Sequence, residues 1–93
     1  MFGAMALSTA KEGSEKELAR AALDHARALR EQSGCVGAWV FRERNTRAQV
    51  ALSIFDSEDS FKRAAAATVS VIASRHPERL VIGEFSYRVF DVD

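Results

Sequence analysis

The chain has 93 residues, 47% of them apolar, and its thirteen basic side chains balance thirteen acidic ones. That length fits one domain with a small core. The apolar content excludes disorder, and the zero net charge gives no field to steer the chain to nucleic acid or an anionic membrane. The single cysteine, Cys35, makes neither an internal disulfide nor a zinc site, which suits a reducing cytoplasm. No apolar run approaches the roughly 18 residues of a membrane span. The N-terminus lacks the basic and long apolar regions of a signal peptide.

Residues 2–9, Phe-Gly-Ala-Met-Ala-Leu-Ser-Thr, form a short apolar run read as strand one, and Lys11, Glu12 and Gly13 mark a loop. Ser14-Glu15-Lys16-Glu17 has capping-box spacing and predicts a helix over about 15–32. Leu18, Ala22, His25, Ala26 and Leu29 fall on one stripe of it, opposite Lys16, Arg20, Asp24, Arg27 and Glu31. Gly34 supplies a left-handed residue to end it. Strand two is predicted over about 35–43. Alternation puts Val36, Ala38 and Val40 on one face and Gly37, Trp39 and Phe41 on the other, so both faces are apolar.

A polar loop, Arg42 to Arg47, leads to strand three over about 48–55, in which Ala48, Val50, Leu52 and Ile54 share a face. The two strands make an antiparallel hairpin. Asp56 or Ser57 caps a second helix over about 58–75, with Phe61, Ala65, Thr68 and Ile72 as its stripe. Pro77 bars its continuation. The last strand is predicted over about 80–90. The order β-α-β-β-α-β is the ferredoxin-like α+β split unit, an antiparallel sheet with both helices on one face. The other face would expose a large apolar patch, so a homodimer through the open sheet face is expected.

Gly34-Cys35-Val36-Gly37 after an amphipathic helix resembles the PGC-x-G segment of the antibiotic biosynthesis monooxygenase-like family, with Ser33 in place of the usual proline. The hairpin 38–55 and the following Asp56-Ser57-Glu58-Asp59-Ser60-Phe61 resemble that family's E-x-W-x-S-x-E-x-(A/F) region. The resemblance runs from about residue 2 to 90. It implies one domain over 1–93 and the dimeric α+β barrel, with a ligand cavity between sheet and helices. It also implies a cofactor-independent monooxygenase acting on a small aromatic or quinone-like substrate, with no cofactor expected. The alternative is a non-catalytic dimeric ligand-binding or interaction module of the same fold, and isomerisation on the same barrel stays open.

Ser53 and Phe55 stand where the family often has Glu and Trp. Haem-degrading members use an Asn on strand one, a Trp on helix two and a His about ten residues on. Strand one here has no Asn, helix two has alanines near the Trp position, and His76 is off register before Pro77. Haem degradation is therefore not expected.

His25, within the apolar stripe of helix one, is the candidate general base, since imidazole exchanges a proton near neutral pH. The competing reading is a core-edge histidine bonded to a backbone carbonyl. Trp39, Phe55, Phe61 and Tyr87 are candidates for an aromatic ligand pocket, against plain core and dimer packing. Tyr87 can also orient a phenolic substrate through its hydroxyl. Arg42, Glu84 and Arg88 interrupt apolar strands and can anchor a carboxylate or form ion pairs across a dimer. Cys35 reads as an inert buried thiol, because a helix C-terminus does not lower a thiol pKa. No motif supports a metal, a nucleotide or a hydrolytic triad.

Overall fold

The computed structural model describes residues 1–93. Strand β1 spans Phe2–Thr9, helix α1 Glu15–Arg30, strand β2 Cys35–Arg42, strand β3 Ala48–Phe55, helix α2 Glu58–Ala73 and strand β4 Ser86–Asp91. The predicted β-α-β-β-α-β order holds. The four strands form one antiparallel sheet in the order β2-β3-β1-β4.

Register decides which side chains meet the helices. Phe2, Ala4, Ala6 and Ser8 of β1 lie opposite Phe55, Ser53, Ala51 and Gln49 of β3. Phe55 is fully buried in a cluster with Ala26 and Leu29 of α1, Ala38 of β2 and Ala64 of α2. The helices therefore cover Gln49, Ala51, Ser53 and Phe55. The apolar set Val50, Leu52 and Ile54 faces away from them, paired in register with Leu7, Met5 and Gly3 and with Phe41, Trp39 and Gly37. On this open face Trp39, Phe41 and Phe90 are exposed. The sheet thus turns its bulkier apolar side chains outward and its alanines and small polar groups toward its own helices.

Three local expectations are corrected. The alternation assigned to β2 fails at its start, where a bulge between Cys35 and Gly37 removes Val36 from the helix-side row. Cys35 packs with the core instead, and Val36 is 57% exposed. The capping box of α1 does not form. Ser14 is the N-cap but makes no side-chain cap bond, and Glu17 accepts a hydrogen bond from Arg79 at 2.5 Å. The expected strand from residue 80 is shorter. Pro77–Leu80 form a 3-10 turn, and Leu80 and Val81 bury against Ala10 and Leu18. Gly83, at φ 70°, then turns the chain, and β4 begins at Ser86.

Helix α2 starts as expected, with Ser57 accepting from the Ser60 N–H at 3.2 Å. Gly34 joins this start to the end of α1. It sits at φ +87°, its carbonyl accepts from the Asp56 N–H at 2.8 Å, and a Cβ there would lie 2.6–2.7 Å from Ser60 and Asp56. Both the left-handed backbone and the close approach require glycine. Gly34→Ala is expected to lower unfolding free energy by at least about 2 kcal/mol, read from urea denaturation midpoints.

Candidate functional site

The helix side of the sheet has a floor of small residues, Ala4, Ala6, Ala51 and Ser53. β1 is an interior strand, yet Ala4 and Ala6 are only half-buried. Beside them, on the same face of the edge strand β4, Tyr87 and Val89 are 75% and 65% exposed. The two helices therefore leave the β1–β4 side of their own face incompletely covered. Small floor residues and short roofing helices leave this stretch of the face open at the β4 edge.

His25 stands at the seam between the helices. Its Nε2 lies 3.1 Å from Thr68 Oγ1, and Thr68 Oγ1 in turn donates to the Ala64 carbonyl at 2.8 Å. With its one proton committed to Ala64, the Thr68 oxygen accepts from His25, which fixes the tautomer with hydrogen on Nε2. Nδ1 is left with its lone pair. Burial pushes the His25 pKa down, so the ring is neutral at pH 7. The competing reading of His25 pairs it with a backbone carbonyl. The hydroxyl found instead is 43 residues away in sequence, and no local signal marks it.

The other predicted residues separate. Phe55 and Phe61 pack edge to face at 5.7 Å, and Phe61 also meets Phe2 at 5.2 Å. Phe55 is fully buried, so it serves as core. Tyr87 stacks on Phe85 at 6.2 Å. Trp39 lies on the opposite face of the sheet from His25, flat over Gly37, where a Cβ would fall 2.4 Å from the indole ring. His76 is exposed and 3.5 Å from Glu78. Cys35 is half-buried, and burial pushes its thiol up from an ordinary value of 9.0, against weaker opposing effects of the Gly37 backbone and Arg30. It is protonated at neutral pH. No three His, Cys, Asp or Glu side chains come together as a metal site.

Of the interrupting charges, Arg88 shares the open face with Met5, Glu84 precedes β4, and Arg42 lies in register with Gln49 on the helix side. Gln49 is a further buried polar residue on this face. It is 5% exposed, and its Oε1 has no hydrogen-bond partner. The one available signal was an amide on the face of β3 opposite its apolar row.

The sequence profile of the antibiotic biosynthesis monooxygenase family matches residues 1–69. The chain belongs to that family. Its fold is shared by solved structures of low sequence identity. A Mycobacterium tuberculosis protein superposes with a TM-score of 0.85 at 10% identity, over 98% of this chain and 93% of that one. SnoaB, a cofactor-independent oxygenase from Streptomyces nogalater, gives 0.82 at 21% identity, over 98% and 91%. A Shewanella oneidensis protein gives 0.82 at 19%, over 96% and 87%. No protein of curated function matches the sequence. Ser53 and Phe55 are both buried against the helices. No helix is long and apolar enough to cross a membrane.

Burial lowers the His25 pKa in the folded state only, so below about pH 6.5 the unfolded chain binds the extra proton and stability falls. The loss continues as pH drops to the folded pKa and is complete below it. His25→Gln should flatten this segment of the stability profile, measured as the difference between wild-type and variant urea midpoints from pH 7.5 to about 5.

Proposed function

We propose that the protein is a homodimeric, cofactor-independent monooxygenase that oxidises a small electron-rich aromatic on the helix side of its sheet. The observation that carries the catalytic part is the 3.1 Å contact between His25 Nε2 and Thr68 Oγ1, whose own proton goes to the Ala64 carbonyl. Thr68 holds Nε2–H, which leaves Nδ1 as the acceptor for a substrate proton. In the proposed reaction His25 removes a proton from an acidic carbon or phenol. The resulting carbanion gives its electrons to dioxygen and forms the C–O bond. Cleavage of the O–O bond then leaves a carbonyl on the substrate and releases water. The similarity to SnoaB, described as a cofactor-independent oxygenase, supports this reaction class. Phe61 and Tyr87 are the pocket residues kept in this reading, with the Tyr87 hydroxyl orienting a phenolic or quinone oxygen. A lone protonated thiol suits a reducing cytoplasm, where we place the protein.

The dimer rests on the open face. Trp39, Phe41 and Phe90 are 39%, 53% and 41% exposed around the Val50, Leu52 and Ile54 row. A second copy packed twofold against this face would cover about 800 Å² per partner at standard interface size. A second reading, a ligand-binding module without catalysis, is favoured by one observation. Phe55, at a position often Trp in the family, is sealed in the core rather than lining a pocket.

Two measurements test these readings. Light scattering at micromolar concentration should give the dimer mass, and Trp39→Lys should shift it toward monomer by introducing a charge into the interface. Oxygen uptake with anthrones and hydroquinones should be detectable and should fall about 10²–10⁴-fold in His25→Ala. Uptake unchanged by that substitution removes His25 as the base. Substrate binding without uptake selects the binding module.

A further inference from the structure

On the open face of the sheet one row of side chains runs across all four strands. Trp39 of β2 is in register with Leu52 of β3, Leu52 with Met5 of β1, and Met5 with Arg88 of β4. Strands β2 and β4 are the two edges of the sheet, so Trp39 and Arg88 stand at opposite ends of this row. Three strand spacings, about 14 Å, keep them apart within one chain. Arg88 is the only charged residue among the paired strand positions of this face. It is exposed, and no ion pair of the chain includes it. A second copy packed on the face must therefore provide for one cation in an apolar field.

Trp39 has the surface to do so. Its six-membered ring lies over Gly37, where a Cβ would fall 2.4 Å from it, so the indole rests on its own strand with one face inward. The residue is still 39% exposed, and the outward face of the ring has no partner. An arginine stacks well on such a face. Its guanidinium is planar and weakly hydrated, and the ring face carries the negative lobe of the quadrupole. Sheets pack about 10 Å apart, which a flat indole on one and an extended arginine on the other together fill.

We propose that the twofold axis of the dimer runs along the strands and that each Trp39 takes the partner's Arg88 on its ring face. This arrangement rests on the homodimer through the open face. Two sheets face to face can be related by an axis parallel to the strands or by one across them. The parallel axis keeps each row opposite its own copy and exchanges the edges, so β2 lies over the partner's β4. Trp39 then faces the partner's Arg88, and symmetry makes the contact twice. The crossing axis lays β4 over the partner's β4. It brings two guanidiniums together in apolar surroundings, where like charges repel strongly, and leaves both Trp39 rings out of their reach.

The test uses the full-length chain. In dimers mixed from isotope-labelled and unlabelled wild-type chains, filtered NOE spectra should connect the Trp39 ring protons to the Arg88 side chain of the other copy. Sedimentation on dilution gives the dimer dissociation constant. Arg88→Met and Trp39→Leu should each raise it about tenfold. The double variant should raise it by much less than the product of the two, because both remove one contact. Trp39→Glu should dimerise at least about tenfold more tightly than Trp39→Lys, since a carboxylate meets the partner's Arg88 and an ammonium is repelled by it. A dimer without the Trp39–Arg88 contacts, additive losses in the double variant, or equal dissociation of the Glu and Lys variants would each overturn the arrangement and leave the homodimer standing. A wild-type chain that is monomeric at micromolar concentration overturns both.

Discussion

Pairing of β3 with both β1 and β2 is the constraint on which the rest depends. In an antiparallel ladder a register moves in steps that exchange the two faces. The observed register sends Phe55 into the helices and Ile54 away from them. Once Phe55 is the centre of the core, the row Val50, Leu52 and Ile54 must face outward, and Gln49, Ala51 and Ser53 must face inward. The unusual division of the sheet follows from that one choice. Its helix side is small and partly polar, and its open side is broad and apolar.

Each face then has its own consequence. Small side chains under α1 and α2 leave the β1–β4 side of the helix face only partly covered, with Tyr87 and Val89 exposed there. The helices must still be held at a distance from the sheet. Phe55 and Phe61 do this at one end, where they meet edge to face. Leu18, Leu80 and Val81 do it at the other, with the 3-10 turn locked by Pro77 and by the Arg79–Glu17 pair. Arg75 pairs with Asp24 and ties the end of α2 to α1. The Arg79–Glu17 pair is exposed and contributes little energy on its own, whereas Arg75–Asp24 is partly buried. Arg75–Asp24 joins α1 to the residues just after α2, and Arg79–Glu17 joins α1 to the 3-10 turn.

Much of the fold was legible. The α1 stripe, the β2–β3 hairpin and the cap at Ser57 come from local rules of periodicity and capping, and all four strands were recognised. On α2 the buried face is Ser60, Ala64 and Thr68, so of the expected stripe only Thr68 is fully buried and Phe61, Ala65 and Ile72 flank it. The errors share a cause. At Val36 a bulge breaks the alternation, and at Leu80 and Val81 a turn replaces a strand. At Ser14 the capping glutamate is drawn away by Arg79. In each case a contact distant in sequence outweighed a local preference worth about 1 kcal/mol or less. The candidate sites were less legible. His25 was found because it interrupts an apolar stripe, but its tautomer depends on Thr68, and the orphaned oxygen of Gln49 depends on what fails to reach it.

The amino-acid sequence by itself determined the element order, the family and the excess of apolar surface, because each is written in residues close together in the chain. The two apolar faces of β2 showed that the sheet carries more apolar surface than two helices on one side can cover. Tertiary structure alone decided which face that is, because facing is set by strand register and not by alternation. It also decided that Trp39 and His25 lie on opposite sides of the sheet, that Phe55 is core, and that a neutral histidine and an unpartnered glutamine mark two separate places on the helix side.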